Sequence, residues 1–345
     1  MNPARKSRLK RVLLTVLRIV VSLGLLGYLV FSLDLKKIAD NLSQIWAERP
    51  DCLAALALGG VVLMVLEAFR LQQILLVQEI RSPLPRLIRY CFIGMFFNNF
   101  FPTTIGGDVV KGYYLSRDSG AAVGPYVALF VVRIIGIICL VLVAGSALIV
   151  GYQLLPSKLP GVILLFILLL IAFLVIFFVW RRFAAKFLFL LKPIKNKVVR
   201  RKVLEVYRIF HSHHRFPVRV GLAALATFGI EFLVIALNYL IVQGLGYDSV
   251  PFPDFLLFVP LIAVATVIPS LNGLGVREGA YVYFFAPLIG PDAAGALSFI
   301  MLVMIIFLGL LGGIVYLVSG AADKRRPQPP DPREFEGGPE APGER

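Results

Sequence analysis

The sequence predicts an all-α polytopic membrane protein. It should have about six full transmembrane helices plus two re-entrant broken-helix hairpins in an inverted-repeat arrangement, eight or more apolar segments in all. Three observations carry this. Of 345 residues, 59% are hydrophobic and only 16% charged, more apolar surface than a water-soluble domain can bury. The net charge of +15 is concentrated: residues 1–18 hold six basic side chains and no acid, and residues 181–219 hold twelve basic and one acidic. Such blocks beside apolar runs follow the positive-inside rule, so no nucleic-acid partner is expected. Finally, two apolar segments are broken by Pro and Gly at related positions, one break beginning at Pro102 and the other at Pro269.

A basic cytoplasmic N-terminus (1–11) leads into the first span, 12–33, which is too long for a signal peptide and lacks a small-residue cleavage site. The loop at 34–51, with three basic and four acidic residues, suits the outside. A second span, 52–76, returns inward, and Arg81, Arg86 and Arg89 follow. The spans 123–152 and 161–180 form the next pair and deliver the basic loop 181–217 to the cytoplasm. Within that loop Val199, Val203, Val206, Tyr207 and Phe210 share a face at helical spacing, predicting an interfacial helix. Spans at 220–242 and 294–319 complete the six of a membrane domain covering 12–319. The C-terminal stretch 320–345 begins near "DKRR" and turns Pro-, Gly- and Glu-rich, predicting a disordered cytoplasmic tail.

Six crossings put both termini in the cytoplasm only if the segments 87–110 and 255–288 do not cross. Each carries a Pro- and Gly-rich break at its middle, so each is predicted to enter and leave on one face, the first from inside and the second from outside. Non-helical backbone at that depth is tolerated where it lines a protein-buried or water-filled cavity. Two pairs of ordinary short spans would preserve the same signs. "PTTIGGDVVKGYY" from Pro102 and "PSLNGLGVREGAY" from Pro269 align at an offset of 167, matching Pro, Gly, Val and Tyr, with Lys111 opposite Glu278. Broken segments in two inverted halves point to a midplane site of the secondary-transporter kind.

Ionisable groups inside spans cost ~2.5–3.5 kcal/mol each on insertion scales, so each needs a reason. Glu67 and Arg70, and Asp108 and Lys111, stand three apart, which on a helix is one face. Arg133 has no acid within ten positions on either side and needs Glu231, Asp108, Glu278 or an anionic ligand as partner. A guanidinium fork suits phosphate or carboxylate, and Arg277 adds a second one. The candidate substrate-binding set is Asn98, Asn99, Pro102, Thr103, Thr104, Gly106, Gly107, Asp108, Lys111, Arg133, Ser270, Asn272, Gly273, Gly275, Arg277 and Glu278. Arg70, Glu67 and Glu231 are candidates for support. Cys52, Cys91 and Cys139 are scattered singly and are expected to be small core hydrophobes. His211, His213 and His214 lack acidic or thiol companions, so no metal site is expected. No catalytic set or nucleotide-binding signature is present, and no cofactor is expected.

"NNFFPTTIGGDVVKGYYLSR" and "SLNGLGVREGAYVYFF" resemble the two signature stretches of the lysylphosphatidylglycerol synthase transmembrane, or flippase-like, family. "AFRLQQILL" around Arg70 and "VVRIIGIICL" around Arg133 are similar to its weaker ones, so the resemblance covers about 12–319. It implies a multi-pass protein of the bacterial inner membrane that moves, or helps make, a polar or charged lipid. In bifunctional relatives a soluble aminoacyltransferase domain follows, whereas here a short tail does, so synthesis by this chain is not expected. Two positions depart from the family pattern: Lys111, often Arg, and Val132, often an acid. The expected function is a lipid transporter for an anionic, phosphate-bearing lipid, with a separately encoded lipid-modifying enzyme as a candidate partner. The rivals are an accessory or catalytic subunit of lipid-linked glycan or modified-phospholipid synthesis, and a proton-coupled small-molecule carrier.

Overall fold

A computed structural model describes residues 47–100, 106–151, 216–266 and 273–323, with positions 36, 40, 43 and 45 upstream. The predicted spans at 12–33 and 161–180 lie outside the described residues. So do the three histidines, the interfacial helix and residues 324–345 of the tail. Among the described residues there are eight helices and no strand. They are α1 (Pro50–Val77), α2 (Leu84–Phe100), α3 (Gly106–Ser119) and α4 (Gly124–Gly151), then α5 (Pro217–Gly244), α6 (Phe252–Ala265), α7 (Val276–Ile289) and α8 (Pro291–Asp323).

Helices α1, α4, α5 and α8 are long and apolar enough to cross a membrane, so the protein is a multi-pass helical membrane protein. Their outward faces carry Leu58, Leu225, Leu310 and Ile314, each more than half exposed, an arrangement that suits lipid. Both α1 and α5 begin just before the apolar run, with Pro in the first turn. Proline is at home there because its missing N–H would have had no helical partner. The four other helices are short. At about 1.5 Å per residue, the 17 residues of α2 reach about 26 Å. The 14 residues of α3, α6 and α7 reach about 21 Å, against a hydrocarbon core of about 30 Å. Each predicted break therefore falls between two short helices. The first lies between the end of α2 and the start of α3, the second between α6 and α7.

The repeat seen at the two breaks extends through the whole described fold. Pro50 and Pro217, Val77 and Gly244, and Gly124 and Pro291 share the same offset and mark equivalent helix ends. Exchanging α1 with α5, α2 with α6, α3 with α7 and α4 with α8 also reproduces the packing. Helix α2 lies on α8 as α6 lies on α4, α3 meets α4 as α7 meets α8, and α1 meets α2 as α5 meets α6. The equivalent helices α1 and α5 pack on each other in antiparallel sense. Gly244 faces Cys52, Leu237 lies over Gly59, Gly229 faces Leu66, and Arg219 donates to Gln73 Oε1 at 2.8 Å. One end of α1 thus meets the other end of its equivalent.

Helix α2 runs against α8 at close range. A Cβ on Gly312 would overlap the Phe92 carbonyl, and Gly313 lies under the Phe96 ring. Gly309 and Gly313 form the G-x-x-x-G spacing that lets membrane helices approach closely. All three cysteines are buried and unbonded, as core positions.

Candidate functional site

The first hairpin is built around a close crossing of α2 and α3. A Cβ on Gly107 would overlap the Gly94 carbonyl oxygen, and one on Gly94 would meet the Lys111 stem at 2.9 Å. Only glycine at both positions allows this approach. At the top, the Asn98 Oδ1 accepts a hydrogen bond from the Gly107 N–H at 2.7 Å, satisfying one of the open donors that begin α3. At the other end Tyr90 donates its hydroxyl to Asp118, Arg86 lies 3.5 Å from Asp118, and the Tyr90 and Tyr114 rings stack at 5.3 Å. The hairpin is therefore tied at both ends.

The crossing lays the Lys111 stem over Gly94 and carries its ammonium toward α1. There Nζ donates to Glu67 Oε1 at 2.7 Å and lies 2.8 Å from Asp108 Oδ1. The other oxygen of Asp108 accepts from Arg133 Nε. Asp108 also stands in the first turn of α3, where the helix dipole favours a carboxylate. One half-buried carboxylate thus bridges two cations, and the chain runs Glu67–Lys111–Asp108–Arg133 across α1, α3 and α4. Burying charges in this way is costly unless each is paired, and here each of the four is.

These groups line a cavity of about 250 Å³, bounded by Glu67, Arg70 and Leu71 of α1, Asn98 of α2, Asp108 and Lys111 of α3, and Leu129, Val132 and Arg133 of α4. Glu67 stands ten positions before the end of α1 and Arg133 nine after the start of α4. At about 1.5 Å per residue both lie about 14–15 Å along their helices from those ends, well inside the two long helices.

Not every candidate joins this cavity. Asn99 donates instead to the Ile305 carbonyl of α8 at 3.3 Å. The expected pairing of Asp108 with Lys111 is formed, whereas Glu67 gives its carboxylate to Lys111 in place of Arg70. The reason is that Lys111 reaches across the glycine crossing. Of the partners open to Arg133, it takes Asp108. In the second half Arg277 donates to Glu278 Oε1 at 2.6 and 3.1 Å, and Glu278 Oε2 accepts from the Gly275 N–H at 2.7 Å. Gly273 and Gly275 both have φ of 82°, a backbone region open chiefly to glycine, and the turn they make presents this N–H to Glu278. Gly273, Gly275, Arg277 and Glu278 are not among the residues bounding the first-half cavity. Pro102, Thr103, Thr104, Ser270 and Asn272 lie outside the described residues. Glu231 sits on α5 within electrostatic range of Arg70. Leu71, Leu129 and Val132 are lining residues that sequence reasoning did not single out. An apolar residue among many carries no signal.

The family described as the lysylphosphatidylglycerol synthase TM region matches residues 15–313, which includes every described helix through most of α8. No curated protein and no solved structure matches the chain. With its paired broken segments, its spanning helices and this match over most of its length, the chain belongs to the lysylphosphatidylglycerol synthase TM region family.

Proposed function

We propose that the protein is a lipid transporter of the flippase type, and that the first-half cavity receives the phosphate-bearing headgroup of an anionic lipid. The observation that carries this reading is an ion-lined cavity well inside two long apolar helices, where a short broken hairpin meets them. A merely structural ion pair needs no cavity beside it. A transported headgroup does, because a polar group crossing hydrocarbon must find polar partners there.

The antiparallel contact of α1 with α5 and the matching packing of both halves support an inverted repeat with two re-entrant hairpins. The short reach of α2, α3, α6 and α7 supports it as well. Charge supports an orientation. Arg81, Arg86, Arg89, Arg117 and Arg219 outnumber Glu79 and Asp118 where α1 ends and α5 begins, while Asp51, Asp248 and Asp254 outnumber Arg49 at the other end. By the positive-inside rule the first end is cytoplasmic, in the plasma membrane of a bacterium. The family's description names lysylphosphatidylglycerol, a lipid built on an anionic phospholipid, and that relationship favours the same cargo class here.

Native mass spectrometry of the gently extracted protein tests the reading. A retained anionic phospholipid is expected on the parent chain and is lost on Arg133→Gln. A chain that retains no anionic lipid, but converts added lipid to a new product, would establish the rival role in lipid modification.

A further inference from the structure

Among the described residues, the cavity's ion pairs leave one cation over. Lys111 is held by Glu67 and Asp108, and Arg133 by Asp108, so two cations balance two carboxylates. Arg70 lines the same cavity, and its Nε is buried with no hydrogen-bond partner. A buried guanidinium donor left unmatched is costly, and such exceptions need a reason. Glu67 and Glu231 both lie within electrostatic range of Arg70, but the close contact of Glu67 goes to Lys111, and neither carboxylate accepts from the Arg70 Nε.

The second half sharpens the point. At the offset of 167, Glu67, Arg70, Asp108 and Arg133 correspond to Val234, Leu237, Gly275 and Ile300. Leu237 and Ile300 are buried apolar residues, and Leu237 is packed over Gly59. The fold is duplicated but its charge is not. Arg70 is therefore not a scaffold requirement of the repeat, since its equivalent position works as leucine.

We propose that Arg70 is the residue that takes the ligand's anionic group, as a planar donor fork to the oxygens of a singly charged phosphodiester. Arg133 and Lys111, already satisfied, shape the cavity and set its field. The formal charge of the lining residues is +1, from Arg70, Lys111 and Arg133 against Glu67 and Asp108. One phosphodiester neutralises it and a doubly charged phosphate overshoots. Glu231 is the competing carboxylate that the ligand displaces electrostatically. This rests on the reading that the cavity holds an anionic headgroup, and goes further by naming the contact and its charge.

Titration calorimetry on the full chain in neutral detergent tests it, with dihexanoyl phosphatidylglycerol and inorganic phosphate as probes. The parent should bind the phosphatidylglycerol. Arg70→Gln should weaken it at least tenfold, Arg70→Lys should fall between, and Glu231→Gln should tighten it. Melting of the ligand-free protein separates this from a structural role: Arg70→Gln should melt close to the parent, because no close ion pair of Arg70 is broken, whereas a structural role would lower the midpoint. Binding by Arg70→Gln within twofold of the parent overturns the assignment while leaving the transporter reading intact. A parent that binds neither probe overturns both. Binding of inorganic phosphate alone keeps the role of Arg70 and makes its ligand a free anion, which contradicts the lipid reading.

Discussion

Lys111 shows how a single side chain organises the first half. It is 5% exposed, and its ammonium answers two carboxylates from different helices, so its loss would strand Glu67 and leave Asp108 with Arg133 alone. Lys111→Met should cost about 3–5 kcal/mol, the range for breaking a buried ion pair from one side. Adding Glu67→Gln should recover part of that loss, giving coupling well outside additivity. Thermal denaturation in detergent reads both values, and simple additivity would mean the charges do not act as a network. Gly107 gives a second test. Its Cβ would overlap the Gly94 carbonyl, backbone against backbone, so no side-chain rotation can relieve the clash. Gly107→Ala should destabilise by about 1–3 kcal/mol, as overpacking does, whereas Gly221→Ala on α5, which meets nothing within 4 Å, should not show a packing loss. At this scale the sequence was partly legible. The intramembrane charges announced themselves by their cost, and Asp108 with Lys111 by spacing. The partner of Glu67 was hidden, because it depends on Lys111 of α3 crossing a glycine contact on α2. The pairing of Arg133 with Asp108 was open among several choices, because it depends on how α3 packs on α4.

Among the elements, the two kinds of helix differ for a physical reason that composition does reveal. Spanning helices are continuous apolar runs that read directly as spans. The broken segments carry Pro, Gly and Asn at their middles, where a continuous helix would be interrupted. The repeat was visible at the two breaks, where backbone geometry restricts the residues allowed. It was not visible in α1 and α5, which share length, a starting Pro and antiparallel packing but little else, because many apolar side chains serve equally against lipid. The Gly309–Gly313 spacing on α8 was a readable signal of close packing that spans and charges overshadowed. The antiparallel alignment of α1 and α5 makes a direct prediction. A Cβ at position 244 would lie 3.1 Å from the Cys52 sulfur. Gly244→Cys, with Cys91 and Cys139 replaced by Ser, should therefore form a disulfide with Cys52 under mild oxidation, seen as a mobility shift reversed by reductant. Failure to form it, with both thiols labelled by a small reagent, would mean the helix ends do not meet.

At the scale of the molecule, a symmetric scaffold carries asymmetric chemistry. The two halves supply two short-helix hairpins and two pairs of long helices, and among the described residues only the first half furnishes an ion-pair network across three helices, that of Glu67, Lys111, Asp108 and Arg133. The second half keeps its charges local, with Arg277 on Glu278 and Glu278 on the start of α7, which stabilises a turn. This division was not legible in the sequence, where both breaks carry charges and both contribute candidates to the site. The helical membrane class and the family were legible, because hydropathy, charge bias and the signature stretches each act over long segments. Headgroup chemistry was not, because it rests on which few side chains meet. If the first-half cavity is a headgroup path, as proposed, it passes an anionic lipid headgroup through the membrane. Proteoliposomes with phosphatidylglycerol labelled on an acyl chain, challenged with a membrane-impermeant quencher, test it most directly. The parent should expose inner-leaflet label faster than protein-free vesicles, and Arg133→Ala and Lys111→Met should fall to the protein-free rate while Arg277→Ala keeps most of the activity. A parent rate equal to that of empty vesicles, or full activity in Arg133→Ala, would contradict the account.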